Sequence, residues 1–506
     1  MAMSRFQELQ EHLRQHWQSL DAAANILVVP SLSLDQQEMR KIQGSHHYEE
    51  RLLFSLIRLR NPRARMVYIT SQPLHPSIID YYLELLPGMP ASHARERLLL
   101  FSTYDASNRP LTEKILERPR LLARLRQALP PNQSFMVCFN STSRERDLSV
   151  ALDIPLWGLD PELLYWGTKA GSRQIFAESG VPHPDGTPLV FHPDDLAEVT
   201  AELWARQPQA RRLVVKLNEG FSGEGNALLE LPPELGATHA ERVQILKTQF
   251  PQMRFQCTTE TWENFAQRIR ELGAISELFV EGENKRSPSV QGQITPAGTV
   301  EILSTHDQIL GGPDQQIYLG CRFPADPAYQ AQLQTWGLKI GYNLAAKGAL
   351  ERYGVDFIAR ELPDGSWDLQ AIEINLRKGG TTHPFMTLKF LTNGFFDTET
   401  GLFLTPRQQP KYYIATDNLQ RPYYRGLLPS DLLDIIVYNS LHFDSTTETG
   451  TVFHLMGCLS EFGKLGLTCI SDSADKTQHL FDQVVRILDE ETQPSPNATP
   501  RSDCPG

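Results

Sequence analysis

Two apolar, alternating runs, Tyr353-Gly-Val-Asp356-Phe and Glu373-Ile-Asn375-Leu, flank the polar stretch Pro363-Asp364-Gly365-Ser366. Asp-Gly between such runs marks a hairpin turn, and a hairpin here restricts the fold more than any other short feature of the chain. On an extended strand, residues i and i+2 share a face, so Glu373 and Asn375 project together. In the natural register Asp356 lies across from them. Two carboxylates and an amide on one sheet face are the hard oxygen ligands that Mg²⁺ on a nucleotide polyphosphate asks for. A hairpin with a solvated face has the same pattern, so the hairpin alone leaves both readings open.

The rest of the chain has to supply such a site from a negatively charged background. Over 506 residues the net charge is −12. That argues against bulk binding to nucleic acid or an anionic membrane, which requires a basic surface, and any phosphate site must be a local cluster of Lys and Arg. Hydrophobic residues at 41% can build real cores, and the length allows roughly three domains. Cys138, Cys257, Cys321, Cys458, Cys469 and Cys504 show no C-x-x-C and no zinc spacing, so they read as free thiols of a reducing compartment. No apolar signal core opens the chain and no run approaches a membrane span, so a cytoplasmic protein is expected.

The expected fold class is α/β (α+β). In residues 1–154, apolar runs at 25–29, 66–70, 98–102 and 134–139 alternate with helix-like stretches at 48–59, 77–86 and 111–129. This alternation implies a parallel, Rossmann-like sheet. Its first strand runs into Pro30-Ser-Leu-Ser-Leu, with no glycine-rich fingerprint, so a dinucleotide is not expected there. Residues 155–420 carry the strands and helices around the hairpin, including a helix expected over 328–352. Residues 421–492 form a small α+β C-terminal domain, and 493–506, rich in Pro, Ser, Asn and Asp, read as a disordered tail.

Three polar features accompany the hairpin. Lys216 ends an apolar strand and precedes a loop with Gly220, Ser222, Gly223 and Gly225, whose backbone N–H groups can close over phosphate oxygens. Glu277-Leu-Phe-Val280-Glu-Gly-Glu283 places acids at a strand exit, suited to the exocyclic amine of adenine and to ribose hydroxyls. Lys169, in Gly167-Thr-Lys169-Ala-Gly-Ser-Arg173, precedes a helix ending in Gly-Val-Pro. Each alone is equally a solvated turn, strand end or surface lysine. His46-His47 does not look metal-like, because neighbouring helical side chains point roughly 100° apart; packing or an interdomain role is expected.

The order of these motifs resembles that of the ATP-grasp superfamily, over residues 155–393. The strings IQGSHHYEERLL, IDYYLELLPG, GTKAGSRQIF, VVKLNEGFSGEGNA and EINLRKGGTTHPF resemble its pheganomycin-type peptide ligase branch, and with the C-terminal domain the resemblance spans nearly the whole chain. The resemblance implies an ATP-grasp domain of two α+β lobes and an ATP-dependent carboxylate–amine ligase, with ATP and Mg²⁺ (or Mn²⁺) as cofactors. A small-molecule acid and an amine, amino acid or peptide, are the implied partners, and a homodimer is common among such ligases. It places Lys169 and Lys216 on the α/β-phosphates and residues 220–225 over the triphosphate. Glu277 and Val280 meet adenine, Glu283 meets ribose, and Asp356, Glu373 and Asn375 hold the metal. The D-alanine ligase branch has an Arg two residues before the metal Asp, where this chain has Gly354. The cation for the tetrahedral intermediate is therefore assigned to Arg377, with Lys378 second. Thr381, Thr382 and His383, at an expected helix N-terminus, are assigned to a substrate carboxylate. His306-Asp307-Gln308 reads equally as a site element or a polar strand end. Two alternatives stay open: a kinase of the same fold acting on a hydroxyl, and a nucleotide-binding module without turnover.

Overall fold

The computed structural model describes residues 3–17, 25–40, 42–219, 225–233, 236–257, 259–312 and 315–492. The expected tail at 493–506 and the residues Gly220, Ser222 and Gly223 lie outside them.

The N-terminal strands pair in parallel in the order Leu98–Ser102, Arg65–Thr70, Asn25–Val29, Ser134–Cys138, Leu156–Trp157. The apolar runs of the inner strands are buried on both faces, as parallel strands covered by helices must be, while Leu99 and Leu100 on the edge strand Leu98–Ser102 are exposed. The stretch expected as an α-helix at 48–59 is a 3-10 helix, Ser45–Arg60. It lies between the N-terminal sheet and the helix Thr382–Thr392, with Phe54 packed on Phe390 and edge-on to His383.

A four-stranded antiparallel sheet follows, ordered Arg254–Phe255, Asn226–Glu230, Arg212–Leu217, Ala274–Leu278. The hairpin belongs to a separate eleven-stranded sheet. Its strands Glu351–Glu361 and Trp367–Asn375 pair with Gly354 opposite Asn375 and Asp356 opposite Glu373, the register expected from the sequence, and a bulge follows Asp356. The helix expected over 328–352 spans Pro327–Ala346 and stops six residues short, because Gly348 turns the chain at φ +89°. Arg352 is consequently a buried strand residue beside Met386.

The strand Pro410–Gln420 connects the hairpin sheet to the C-terminal segment. It pairs with Ile317–Phe323 on one side and Lys464–Ser471 on the other. The strands of residues 421–492 are thus continuous with the sheet that carries the hairpin, and a single large core runs from the N-terminal sheet into them. Among the described residues no helix is long and apolar enough to cross a membrane, and the five described cysteines are free and buried.

Candidate active site

One cavity of about 940 Å³ lies where the two antiparallel sheets, the 3-10 helix and the C-terminal strand meet. Lys169, Lys216, Glu277, Val280, Glu283, Asp356, Glu373, Asn375, Arg377 and Thr381 all line it. These are ten positions singled out from the sequence.

Local structure explains why Lys169 and Glu373 meet. The Thr168 hydroxyl caps the helix Lys169–Ser179 by accepting from the Gly171 N–H at 3.1 Å. Asn218, just past the strand Arg212–Leu217, accepts from the Lys169 N–H through its backbone oxygen (3.1 Å) and from the Ala170 N–H through its side chain (3.0 Å). The Ile374 N–H donates to Ser172 Oγ at 2.9 Å, docking the helix on the hairpin. A Cβ at Gly171 would lie 1.9 Å from the Tyr165 carbonyl oxygen, so this approach requires glycine. With the helix fixed, Lys169 Nζ sits 2.5 Å from Glu373 Oε1.

Lys216 and Glu277 extend from neighbouring strands of the four-stranded sheet, where Glu277 lies opposite Val214. Glu277 is 2% exposed. Its oxygens accept from Arg173 Nη1 at 2.9 Å and from Lys216 Nζ. Burial pushes this carboxyl up, but the two cations outweigh it and hold it below the ordinary glutamate range. Glu277 therefore fixes Lys216 in the cavity wall, and neither of its oxygens is free of a cation. Arg173, quoted in the motif but given no role, is the residue that completes this cluster. The Val280 carbonyl accepts from Lys285 Nζ at 3.0 Å, and Glu283 is exposed at the rim.

Across the cavity, Asp356 accepts from Gln308 Nε2 at 2.6 Å and from Asn375 Nδ2 at 3.0 Å. Of the two readings of His306-Asp307-Gln308, the structure places Asp307 and Gln308 in the cavity wall and His306 in the core. Burial, and next the facing Glu373 carboxylate, push Asp356 up to about 7, against the pull of Lys169 and Arg377. Two facing carboxylates beside the Asn375 amide fit a divalent cation of the hard class.

Gly354, where the D-alanine ligase branch has its arginine, faces the end of the Gln291 side chain, which a Cβ there would meet at 2.8 Å. Three expectations change. Lys378 is not a site cation: its ammonium turns into the interior, donating to the Cys138 carbonyl (2.8 Å) and to Glu351 (3.0 Å). Thr382 and His383 leave the substrate set. Thr382 is buried and accepts from the Gly379 N–H. The His383 ring is core, 4.0 Å from His454, with burial holding its pKa well below the ordinary histidine value. Thr381 alone of the three lines the cavity. Finally, His46 and His47 do converge, with ring centroids 4.2 Å apart and Glu461 Oε2 at 3.4 and 3.8 Å, because the rings rotate about their own side-chain bonds toward this shared acid. Glu461 belongs to the C-terminal segment, so the cluster joins two parts of the chain.

The fold is of the ATP-grasp type, and the cavity lies within it. Residues 162–248 and 233–399 match the IQCH-like ATP-grasp family, and 431–481 match the PGM1 C-terminal domain. Within the superfamily the chain resembles the pheganomycin-type ligases. It is 27% identical over 486 residues to the L-propargylglycine–L-glutamate ligase of Streptantibioticus cattleyicolor, covering 94% of this chain and 96% of that one. It is 22% identical over 546 residues to IQ motif-containing protein H of Danio rerio, where 97% of this chain spans 50% of the relative. Among solved structures, an ADP complex of N5-carboxyaminoimidazole ribonucleotide synthetase aligns with a TM-score of 0.53 at 11% identity, covering 94% of this chain and 100% of that one. The biotin carboxylase domain of the Hydrogenobacter thermophilus 2-oxoglutarate carboxylase, crystallised with MgADP, ADP and bicarbonate, aligns with 0.54 at 13%, covering 91% and 89%. These two likenesses speak to the fold.

Proposed function

We propose that the chain is an ATP-dependent carboxylate–amine ligase that forms an amide through an acyl phosphate and releases ADP and phosphate. One observation carries the reading: Lys169, Lys216 and Arg377 share a single cavity wall with Asp356, Glu373 and Asn375. The relative from Streptantibioticus cattleyicolor, whose name gives two amino acids as the molecules joined, supports the same reaction class.

A carboxylate attacking a γ-phosphate is an anion attacking an anion, so catalysis depends on fixed positive charge around the phosphates. In this reading Lys169 and Lys216 supply that charge, and Glu277 with Arg173 keeps Lys216 aimed. Adenine lies against the segment around Val280, with Glu283 at the ribose. Gly225, which accepts from the Leu217 N–H at 3.0 Å through its carbonyl, anchors the end of the glycine loop. Asp356, Glu373 and Asn375 would hold Mg²⁺, or Mn²⁺ on the same oxygen donors. When bound, the ion would supply positive charge to the phosphates. Arg377 faces the reacting carbon and stabilises the oxyanion as the amine adds.

ADP release from Mg²⁺-ATP over a panel of amino acids and short peptides, with hydroxylamine to trap an acyl phosphate, tests the reading. ADP with hydroxamate from wild type, absent in Glu373→Gln, is the expected result. ADP together with a phosphate ester would replace the ligase by a kinase.

A further inference from the structure

A second part of the cavity wall has a different charge pattern. Tyr48 and Arg51 reach it from the 3-10 helix, Gly379, Gly380 and Thr381 from the start of the helix Thr382–Thr392, and Lys464 from the head of the strand Lys464–Ser471. The acids of the cavity are Glu277, Glu283, Asp307, Asp356 and Glu373, all on the segments of the two antiparallel sheets. None belongs to this second part.

Lys464 is 3% exposed. Its ammonium donates to the Tyr48 hydroxyl at 2.9 Å and to the Gln43 carbonyl at 3.4 Å. Both partners are neutral, and among the described residues no carboxylate lies within ion-pair distance. A buried ammonium without a counter-charge is costly, and such groups are normally paired. Beside it, Arg51 stacks on the Tyr48 ring, with 3.9 Å from its guanidinium carbon to the ring centroid. Asp417 takes one of its terminal nitrogens from behind and is itself held by His454 Nε2 at 2.5 Å. The Arg51 Nε, also buried, has no hydrogen-bond partner among the described residues. The helix Thr382–Thr392 begins at the same wall, and its N-terminal amides add positive potential. An ammonium without a described counter-charge, a guanidinium and a helix start therefore line one part of the cavity.

We propose that Lys464, with Arg51, binds a substrate carboxylate that does not take part in bond formation. The proposal rests on the ligase reading and narrows its substrates to α-amino acids, short peptides with a free C-terminus, or diacids, in which one carboxylate remains after the amide forms. Simple monoacids and amines without a carboxylate are excluded. The retained carboxylate can belong to the acyl donor or to the incoming amine; the chemistry recognised is the same.

The test is calorimetric binding of L-amino acids and dipeptides, each paired with its C-terminal amide, and of L-aspartate and L-glutamate paired with their α-amides. It is run with Mg²⁺ and a non-hydrolysable ATP analogue present. Wild type is expected to prefer at least one acid over its amide by about 10- to 100-fold, the value of a charge-assisted hydrogen bond pair. Lys464→Met should bring that ratio close to one without changing affinity for the ATP analogue, and Lys464→Arg should keep it. A role in structure alone would weaken acid and amide equally. Hydroxamate formation then identifies which of the two substrates is the acyl donor, and so which one carries the recognised carboxylate. Equal binding of acid and amide to wild type, an unchanged ratio in Lys464→Met, or no binding of any carboxylate overturns the proposal. Acid preference without ADP formation leaves this subsite standing and removes the ligase reading. ADP and hydroxamate without acid preference do the reverse.

Discussion

The two parts of the cavity wall treat positive charge in opposite ways. Around the hairpin, Lys169 sits against Glu373 and Lys216 against Glu277 with Arg173 beside it, so both lysines are matched before any ligand arrives. On the other part, the described partners of Lys464 are a phenol and a carbonyl. Matched charges make a preassembled site that costs little reorganisation when phosphates and a cation enter. An unmatched buried ammonium makes a site whose electrostatics are completed by its ligand. One cavity thus combines a region built to catalyse with a region built to select.

The largest effect expected from breaking the matched region is on chemistry. Glu373→Gln keeps the shape, removes one of the two facing carboxylates and strips Lys169 of its partner. ADP formation should fall by at least about a hundredfold, the scale of losing one preorganised electrostatic group. A rate within a few fold of wild type in the ADP assay would mean that the hairpin face is not where phosphate chemistry occurs.

Arg377→Lys probes the border between the two parts. Lysine keeps the charge but loses the planar fork. The first-turnover burst of ADP in rapid-quench experiments should persist, while steady-state amide formation falls about 10- to 100-fold. Equal losses in both would place Arg377 on the phosphates and not on the oxyanion.

Stability measurements sharpen the contrast directly. Lys216→Met leaves the buried Glu277 with Arg173 alone, and denaturant unfolding should show a loss of about 2–3 kcal/mol, less than for a fully orphaned carboxylate. Adding Glu277→Gln should recover most of that stability without restoring nucleotide affinity. Lys464→Met orphans no acid, so its stability should stay within about 1 kcal/mol of wild type. A large loss there would mean that an acid pairs with Lys464 in solution.

The matched region was largely legible in the sequence, because its information is local. Period-two alternation around Asp364-Gly365 sets the hairpin face, and register then brings Asp356 to Glu373. The unmatched region was not legible, since Lys464 reaches Tyr48 and Arg51 only through long-range folding, on a strand paired with Pro410–Gln420. That strand is hard to see in the sequence because it buries Lys411 and Asp417, whose charges are satisfied at long range by Asp472 and by Arg51 with His454. The error at Lys378 has a local cause. A motif string fixes which residue types are present, but adjacent side chains on a non-helical chain leave on different sides. Arg377 thus reaches the cavity while Lys378 enters the interior.

The smallest expected effect tests which group reads the carboxylate. Tyr48→Phe keeps the ring under the Arg51 guanidinium and removes only the hydroxyl that accepts from Lys464. The empty protein should lose about 1 kcal/mol, one net hydrogen bond, in denaturant unfolding. The ammonium then depends more heavily on its ligand, so the preference for acid over amide should persist or rise slightly. If that preference instead disappears while nucleotide affinity holds, the tyrosine hydroxyl donates to the carboxylate and Lys464 serves to orient it. The charge contrast between the two parts of the wall would then lose its functional meaning, because a neutral group would be doing the selecting.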